Sequence, residues 1–372
     1  MKLLSNAVVF GVGLARAVTA AAQTTQTLNI YAQAGAHALA PAALRALPRV
    51  YVPNSHDGTV SVIDPRTYRV VRTFRTGALP QHVVPSYDLT TLWVANNLGN
   101  TLTPIDPGTG REGKNVPVAD PYNLYFTPDG RFAIVVAERL RRLDFRDART
   151  MALVQSVPLY CKGVDHLEFT ADGQSAIATC EFSGQLVKLD LTSRAVTGYL
   201  TLDPGGLGRA AMPQDIRSAA DGKVFYVADM VANGVFLVDP VAFQRIGFIA
   251  TGKGTHGLYP SRDGRLLYIT NRGWNTTAGG RHGPGSVTVL DLATRQIVAT
   301  WPVPRGGSPD MGNVNADGTE LWLSGRYDNE VYVFDTETGR LTHRIAVGRE
   351  PHVLCVWPQP GRYSLGHTGN MR

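Results

Sequence analysis

Short apolar runs recur along the chain, and each is followed by a turn sequence and a second apolar run that ends in aspartate. The segments "VYVPNSHDGTVSVIDPRT", "LWVANNLGNTLTPIDPGT" and "LWLSGRYDNEVYVFDTET" show the pattern clearly. Within them, alternation such as Thr59-Val60-Ser61-Val62 is typical of a β-strand with one packed face. The pattern therefore predicts paired strands rather than helices.

The pattern repeats seven times along the chain. The closing aspartates lie at intervals of 38 to 52 residues and are Asp64, Asp106, Asp144, Asp190, Asp239, Asp291 and Asp335. In most copies a third strand such as "RQIVATWPV" follows, and then a fourth that leads into an Asp-Gly turn such as "TPDG". Four strands make one propeller blade, so the sequence predicts an all-β, seven-bladed β-propeller.

The two ends of the chain are expected to share one blade. The repeats begin with the second strand of a blade, and a strand of the innermost type is predicted at His352–Val356. Such a 3+1 ring closure leaves no open sheet edge. We therefore assign the propeller to residues 49–357, after an irregular segment at residues 23–48 and before a tail at residues 358–372.

Composition agrees with this fold and excludes several classes of protein. The 39 glycines and 23 prolines supply many turns, and apolar residues make up 44% of the chain. No internal apolar run approaches the roughly 20 residues that span a bilayer. Basic runs and the aromatic-basic interleaving that binds nucleic acid are also missing. We expect a monomer with no nucleic-acid partner and no membrane span after signal cleavage.

Residues 1–22 have the layout of a signal peptide. Lys2 precedes a mostly apolar stretch, and Ala20-Ala21-Ala22 before Gln23 supplies a cleavage site. Arg16 is unusual in such a segment, so an uncleaved anchor or a cytosolic N-terminus stays open. The pattern predicts a secreted or periplasmic protein.

Export would permit a disulfide among the three cysteines. Cys161 and Cys180 fall in the same predicted blade and are expected to approach each other. Reduced thiols and thiolate metal ligation remain alternatives to a disulfide there. Cys355, inside the last inner strand, is interpreted as a small buried hydrophobic residue.

The segments "YVPN", "WVAN" and "YITN" resemble the motif of the YVTN-repeat family of seven-bladed propellers. The resemblance covers about residues 49–357 and implies the fold. It allows several functions, because similar propellers carry haem in cytochrome-type nitrite reductases or copper in nitrous oxide reductase, or act as lactonases, binding proteins or surface proteins. The fold alone does not choose among them. The chain lacks the electron-transfer domains of those two reductases, so a redox role would require an outside electron partner.

Polar residues at the start of the inner strands are the candidate chemistry. In a propeller these strands line an axial channel. The position after the preceding proline, or its equivalent, holds Gln81, Tyr122, Asp165, Gln214, His256, Asp310 and His352, and the next holds His82, Asn123, His166 and Asp215 in four blades.

Imidazoles and carboxylates of this kind bind copper, iron or zinc. The predicted metal ligands are His82, His166, His256, His352, Asp165, Asp215 and Asp310. Successive strand residues point in opposite directions, so these side chains can converge only where the strands begin, at the channel mouth. A polar, water-filled channel without a metal is the alternative.

A second group is predicted to bind a cofactor or an anionic ligand at the same mouth. Arg272 and Arg326 follow equivalent strands, and Trp274 and His282 lie in a long loop at residues 273–285. Guanidinium groups suit carboxylates and phosphates. His56, His282 and His367 are expected on this rim, whereas His37 and His343 are expected elsewhere.

These residues lead to three functional hypotheses. The first is an exported propeller that binds a metal ion, a cofactor or a small ligand at its channel mouth, with copper or iron as the candidate metals. The second is a metal-dependent oxidoreductase, or a lactonase or lyase, that uses the same mouth. The third is an extracytoplasmic scaffold whose rim binds a protein partner. The sequence leaves undecided whether the protein is an enzyme.

Overall fold

The computed structural model describes residues 28–205, 210–367 and 369–372, and its strands form seven antiparallel sheets around one axis. The predicted signal peptide lies outside the described residues. The seven-bladed β-propeller predicted from the repeat is confirmed. Among the described residues, no helix has the length and hydropathy that crossing a bilayer requires.

The strands are as follows. The first blade has β1 (Arg49–Asn54), β2 (Thr59–Asp64) and β3 (Arg69–Arg75), and the second has β4 (Pro80–Pro85), β5 (Leu92–Asn96), β6 (Thr101–Asp106), β7 (Arg111–Glu112) and β8 (Val116–Pro117). The third has β9 (Pro121–Phe126), β10 (Phe132–Ala137), β11 (Arg142–Asp147) and β12 (Leu153–Pro158), and the fourth has β13 (Val164–Phe169), β14 (Ser175–Cys180), β15 (Gln185–Asp190) and β16 (Ala195–Thr201). The fifth has β17 (Pro213–Ser218), β18 (Phe225–Asp229), β19 (Gly234–Asp239) and β20 (Gln244–Ala250), and the sixth has β21 (Thr255–Pro260), β22 (Leu266–Asn271), β23 (Ser286–Asp291) and β24 (Gln296–Pro302). The seventh has β25 (Pro309–Val314), β26 (Glu320–Gly325), β27 (Glu330–Asp335) and β28 (Leu341–Ala346), and β29 (Cys355–Trp357) follows. Two 3₁₀ helices occupy Ala43–Arg45 and Glu181–Ser183.

The first blade combines strands from both ends of the chain. β29 pairs antiparallel with β1, placing Val356 opposite Val50 and Cys355 opposite Tyr51. The predicted inner strand begins three residues later than expected, because the segment before it bonds to two blades. The Val353 N–H donates to the Gln81 carbonyl of β4 (3.1 Å), and the His352 N–H donates to the Pro53 carbonyl of β1 (3.0 Å).

Apolar packing between neighbouring sheets forms the core. Between the first and seventh blades, for example, Val50 and Val52 pack with Trp322 and Val333, and all four are fully buried. The outermost strands are mostly exposed, as in β3. Each sheet therefore buries its inner three strands against its neighbours, which fixes the inner strands around the axis.

The N-terminal segment and the C-terminal tail cover the same face of the propeller. The Ile30 N–H donates to the Ala220 carbonyl, and the Phe126 N–H donates to the Leu365 carbonyl, both at 2.9 Å. Ala220 and Phe126 lie where inner strands end, whereas the predicted mouth lies where they begin. The tail therefore closes the channel at the end opposite the mouth.

The last residue of the tail forms a buried ion pair. An Arg372 amino group lies 2.9 Å from a carboxylate oxygen of Glu168, whose side chain is fully buried at the end of β13. The Arg372 guanidinium also stacks over the ring of Tyr31, with 4.7 Å between guanidinium carbon and ring centroid. Arg372 thus joins the tail, the N-terminal segment and the fourth blade.

Cys161 and Cys180 form a disulfide that fastens the β12–β13 loop to the end of β14. A crosslink of this loop size contributes about 2–4 kcal/mol to stability. Cys355 is buried in β29.

Replacing Arg372 is expected to destabilise the fold far more than replacing an exposed arginine. R372M leaves the Glu168 carboxylate buried without this cation, so we expect the free energy of unfolding to fall by about 3 kcal/mol. R349M breaks the exposed Arg349–Asp57 pair and should cost less than about 1 kcal/mol. Urea unfolding followed by circular dichroism checks both values. Equal effects of the two substitutions would contradict the role given to Arg372.

Candidate functional site

Most inner strands carry a β-bulge where the predicted site residues lie. In β13, Val164 pairs with Cys180 and Leu167 pairs with Ala178, so Asp165 and His166 together face one residue of β14. Similar register shifts occur at the start of β4, β9, β17, β21 and β25. A bulge interrupts strict alternation and re-aims side chains. Neighbouring residues of one strand can therefore both point towards the channel, whereas strict alternation would send their side chains in opposite directions.

Three histidines meet in the channel and form the tri-histidine cluster of His82, His166 and His367. Each ring places one nitrogen, Nδ1 or Nε2, within 4.8 Å of a nitrogen of each of the other two rings. The ring centroids of His166 and His367 are 4.7 Å apart, and both are about 5.5 Å from that of His82. β4 supplies His82, β13 supplies His166 and the tail supplies His367.

Hydrogen bonds orient these rings. His82 Nδ1 lies 2.7 Å from the Tyr122 carbonyl and donates to it, so Nε2 carries the lone pair. The Asn123 side-chain amide nitrogen is 3.3 Å from Nδ1 of both His166 and His367. The Nε2 atoms of all three rings are buried and have no hydrogen-bond partner among the described residues. Buried polar atoms without partners are uncommon, so the cluster is a candidate ligand site. His166 and His367 offer a lone pair at Nε2 only in the tautomer whose Nδ1 does not accept from Asn123.

Burial keeps the cluster uncharged. It lowers the pKa of His82 to about 3, although the hydrogen bond to the Tyr122 carbonyl acts in the opposite direction. Burial also holds the pKa values of His166 and His367 well below their usual range, and the nearby Arg217 charge adds to the effect. Neutral imidazole is the form that binds metals.

Asp310 is the centre of a second group beside the cluster. Its carboxylate lies 2.7 Å from Arg272, 3.0 Å from His256, 3.6 Å from His352 and 3.8 Å from Arg326. The ring of His352 is 5.4 Å from that of His82. The structure thus brings these predicted residues together, but around a carboxylate already bound by arginine.

Asp215 and Asp165 support the cluster from neighbouring strands. One Asp215 oxygen is 3.6 Å from Nε2 of His367, and the other accepts the Leu258 N–H at 2.9 Å. Burial raises the pKa of Asp215 to about 6. One Asp165 oxygen accepts the His166 N–H at 2.7 Å and the Thr179 hydroxyl. These bonds fix the backbone beside His166.

Other predicted residues lie outside the cluster. Among described contacts, the Trp274 ring faces the Lys253 amine at 5.8 Å, and His282, whose side chain is 60% exposed, lies 3.8 Å from Asp328. His56 is exposed beside Arg349. His343 stacks on Tyr68 in the outer strand β28, with ring centroids 3.6 Å apart.

His367 was predicted on the mouth rim, and that placement is wrong. The tail enters from the opposite face, where the His367 N–H donates to the Leu124 carbonyl at 3.0 Å, and the ring reaches the cluster from there. The tail lies outside the repeats, so no alignment of blades could locate this residue. Tyr125 and Asn123, which contact the same rings, lie in β9.

Comparison with known proteins agrees with the fold. The sequence profile of a family described as YNCE-like beta-propeller matches residues 12–360. A search of curated proteins found no match to the chain.

Several solved structures share the architecture at low sequence identity. Hydrazine synthase from Kuenenia stuttgartiensis is 17% identical, with a TM-score of 0.60, over 73% of this chain and 87% of that one. The dihydro-heme d1 dehydrogenase NirN, solved in complex with DHE, is 15% identical, with a TM-score of 0.61, over 83% and 75%. A protein of unknown function from Desulfotomaculum acetoxidans is 15% identical, with a TM-score of 0.67, over 84% and 100%. At these identities the likeness shows the fold alone.

Removing His82 is expected to weaken the pH dependence of stability. Unfolded His82 binds a proton below about pH 6.5, whereas the folded protein resists protonation until about pH 3. Its contribution to stability is therefore complete above pH 6.5 and is lost as the pH falls. H82Q should reduce the loss by about 1.4 kcal/mol per pH unit. Urea unfolding at pH 7, 6 and 5, with EDTA present, checks this, and equal slopes for the two proteins would contradict it.

Proposed function

The chain belongs to the YNCE-like β-propeller family, and we propose that it binds one transition-metal ion in its channel through His82, His166 and His367. The observation that carries the proposal is the meeting of three buried, neutral imidazoles whose Nε2 atoms have no hydrogen-bond partner among the described residues. Imidazole suits copper, iron, nickel and zinc, and copper(II) generally binds most tightly of these.

The spacing of the rings sets a condition for binding. Metal–nitrogen bonds of about 2.1 Å allow at most about 4.2 Å between two nitrogens on one ion. The ring atoms lie within 4.8 Å of one another, so binding draws the rings closer.

A binding or maturation role fits the channel better than turnover. All three rings are fully buried, and the tail closes the far end of the channel. An oxidoreductase, lactonase or lyase would need a path for its substrate to reach the ion. Both roles require a path through the mouth, but a metal ion needs a narrower path than an organic substrate does.

A carboxylate-bearing ligand at the mouth is the second candidate. The Arg326 side chain is 20% exposed and only 3.8 Å from Asp310, so it retains donors for a ligand. Arg272 lies beside it, and Trp274 and His282 occupy the adjoining loop. The name of the neighbour NirN refers to a haem-related substrate, which makes a haem-like cofactor one form of this candidate.

We further propose that the protein is secreted or periplasmic. Residues 1–22 have the layout of a signal peptide. The disulfide between Cys161 and Cys180 supports export, because disulfides persist mainly in oxidising compartments. A protein partner at the rim remains the alternative role in such a compartment.

One copper(II) ion per chain is expected to bind metal-free protein. Isothermal titration should give a stoichiometry near one, and the electron paramagnetic resonance spectrum should show hyperfine splitting from nitrogen ligands. H166Q and H367Q should each weaken binding at least tenfold, because each removes one of three ligands.

H343Q is the matched control, since His343 lies in an outer strand and stacks on Tyr68. It should bind copper as the unmodified protein does. Equal loss in H343Q and H367Q, or full binding by H367Q, would overturn the metal site. Metal-dependent turnover of a redox dye would favour the enzyme instead.

Export predicts a defined N-terminus. Expression of the full chain in a Gram-negative bacterium should yield periplasmic protein that begins at Gln23, because cleavage follows Ala22. Intact-mass spectrometry of the periplasmic fraction checks this. Recovery of protein that retains residues 1–22 would contradict cleavage.

A further inference from the structure

Two adjacent blades place four polar groups on one wall of the mouth. Tyr122 and Asp165 are the second residues of β9 and β13, and Glu138 and Glu181 directly follow β10 and β14. The acidic wall is defined by these four residues. Pairing brings the two elements of each blade together, since Ala137 lies opposite Pro121 and the Glu181 N–H donates to the Gly163 carbonyl at 2.7 Å.

The two blades also contact each other at this level. The Asn123 side-chain amide donates to the Asp165 carbonyl at 3.3 Å, which ties β9 to β13. Tyr122 is half-buried, and its ring lies 5.0 Å from that of His82. The acidic wall therefore lies on the mouth side of the tri-histidine cluster.

The carboxylates of this wall lack a cation. Asp165 is 1% exposed, and while one of its oxygens accepts two hydrogen bonds, Oδ2 has no hydrogen-bond partner among the described residues. Glu138, Asp165 and Glu181 form no ion pair with any described residue, although Glu138 and Glu181 are themselves half-buried. Burying an ionised carboxylate without a cation costs free energy, so a positively charged ligand at the wall would be stabilised.

The raised pKa values of two of these carboxyl groups agree with the absence of a cation. Burial, together with the neighbouring charge of Glu181, raises the pKa of Glu138 to about 7. Burial also raises the pKa of Glu181, while Arg272 and Arg326 across the mouth partly offset the effect. The carboxylates thus resist ionising together, and a bound cation would relieve both causes.

We propose that the acidic wall binds the ammonium group of an organic amine. The only three-ligand metal group among the described residues is the tri-histidine cluster, so the three carboxylates are too far apart to share one ion as that cluster does. An ammonium has three N–H donors that can reach separated oxygens. The ring of Tyr122 offers an aromatic face to the same cation.

The body of the amine is expected to be apolar. The turn that begins with Glu138 exposes Leu140, and the turn that begins with Glu181 exposes Phe182, each by about half. Exposed apolar side chains beside carboxylates suit a ligand with a hydrocarbon or aromatic body. Amine binding does not require a metal ion, because no side chain of the acidic wall is one of the three proposed metal ligands.

Isothermal titration of metal-free protein with 2-phenylethylammonium chloride tests the proposal. Saturable one-to-one binding is expected at pH 8, where the amine is charged. The neutral analogue 2-phenylethanol should bind at least tenfold more weakly, because it lacks the charge. Equal binding of the two compounds, or no binding of the amine, would overturn the proposal.

Variants then locate the site. E138Q/E181Q keeps the shape of the wall and removes two charges, so amine binding should weaken at least tenfold. D165N should have a similar effect and provides a second test if the double variant is unstable. E337Q changes an exposed glutamate in an outer turn and should bind normally. Unchanged binding in both E138Q/E181Q and D165N would exclude the acidic wall as the site.

Discussion

The pairing of β29 with β1 is the constraint on which the channel depends. The pairing joins the end of the chain to its beginning and so closes the ring of seven blades around one axis. The adjoining segment strengthens the closure, since its backbone bonds to β1 and to β4 at the same time. His82 follows Gln81 in β4, and His352 lies in the closing segment itself. Their ring centroids are 5.4 Å apart because the ring of blades is closed at this point.

Closure of the ring buries ionisable side chains around the axis, and their charges are compensated differently in three sectors of the channel. On one side, Asp310 is bound by Arg272 and approached by Arg326 and two histidines, so its charge is met within the protein. In the middle, His82, His166 and His367 stay neutral, because burial opposes their protonation. On the third side the carboxylates have no cation. Around the axis, paired charges therefore give way to neutral imidazoles and then to carboxylates without a cation, and each of the three regions retains polar atoms that have no hydrogen-bond partner among the described residues.

Much of the fold was readable from sequence, and the site only in part. The spacing of closing aspartates determines the number of blades, Pro80 before its inner strand locates His82, and alignment with that position locates His166. Strand alternation allowed neighbours such as Asp165 and His166 to converge only at the mouth, and the bulge opposite Thr179 shows how the strand departs from alternation there. Bulges depend on how two strands pair, which a single strand sequence does not show. The prediction for His367 was wrong for a different reason. Its position depends on backbone hydrogen bonds between the tail and β9, from His367 to Leu124 and from Phe126 to Leu365.

The position of Tyr122 explains how two kinds of site can share one channel. Its carbonyl accepts the Nδ1–H of His82 and so leaves Nε2 of that ring available within the cluster. Its side chain lies on the mouth side, where the charges of Asp165, Glu181 and Glu138 raise the pKa of its hydroxyl, after the larger effect of burial. Backbone and side chain of one residue thus face different chemistry. A substitution of the side chain can alter the mouth while the backbone bond to His82 is retained, so the two sites are separable by mutation although they are adjacent in space.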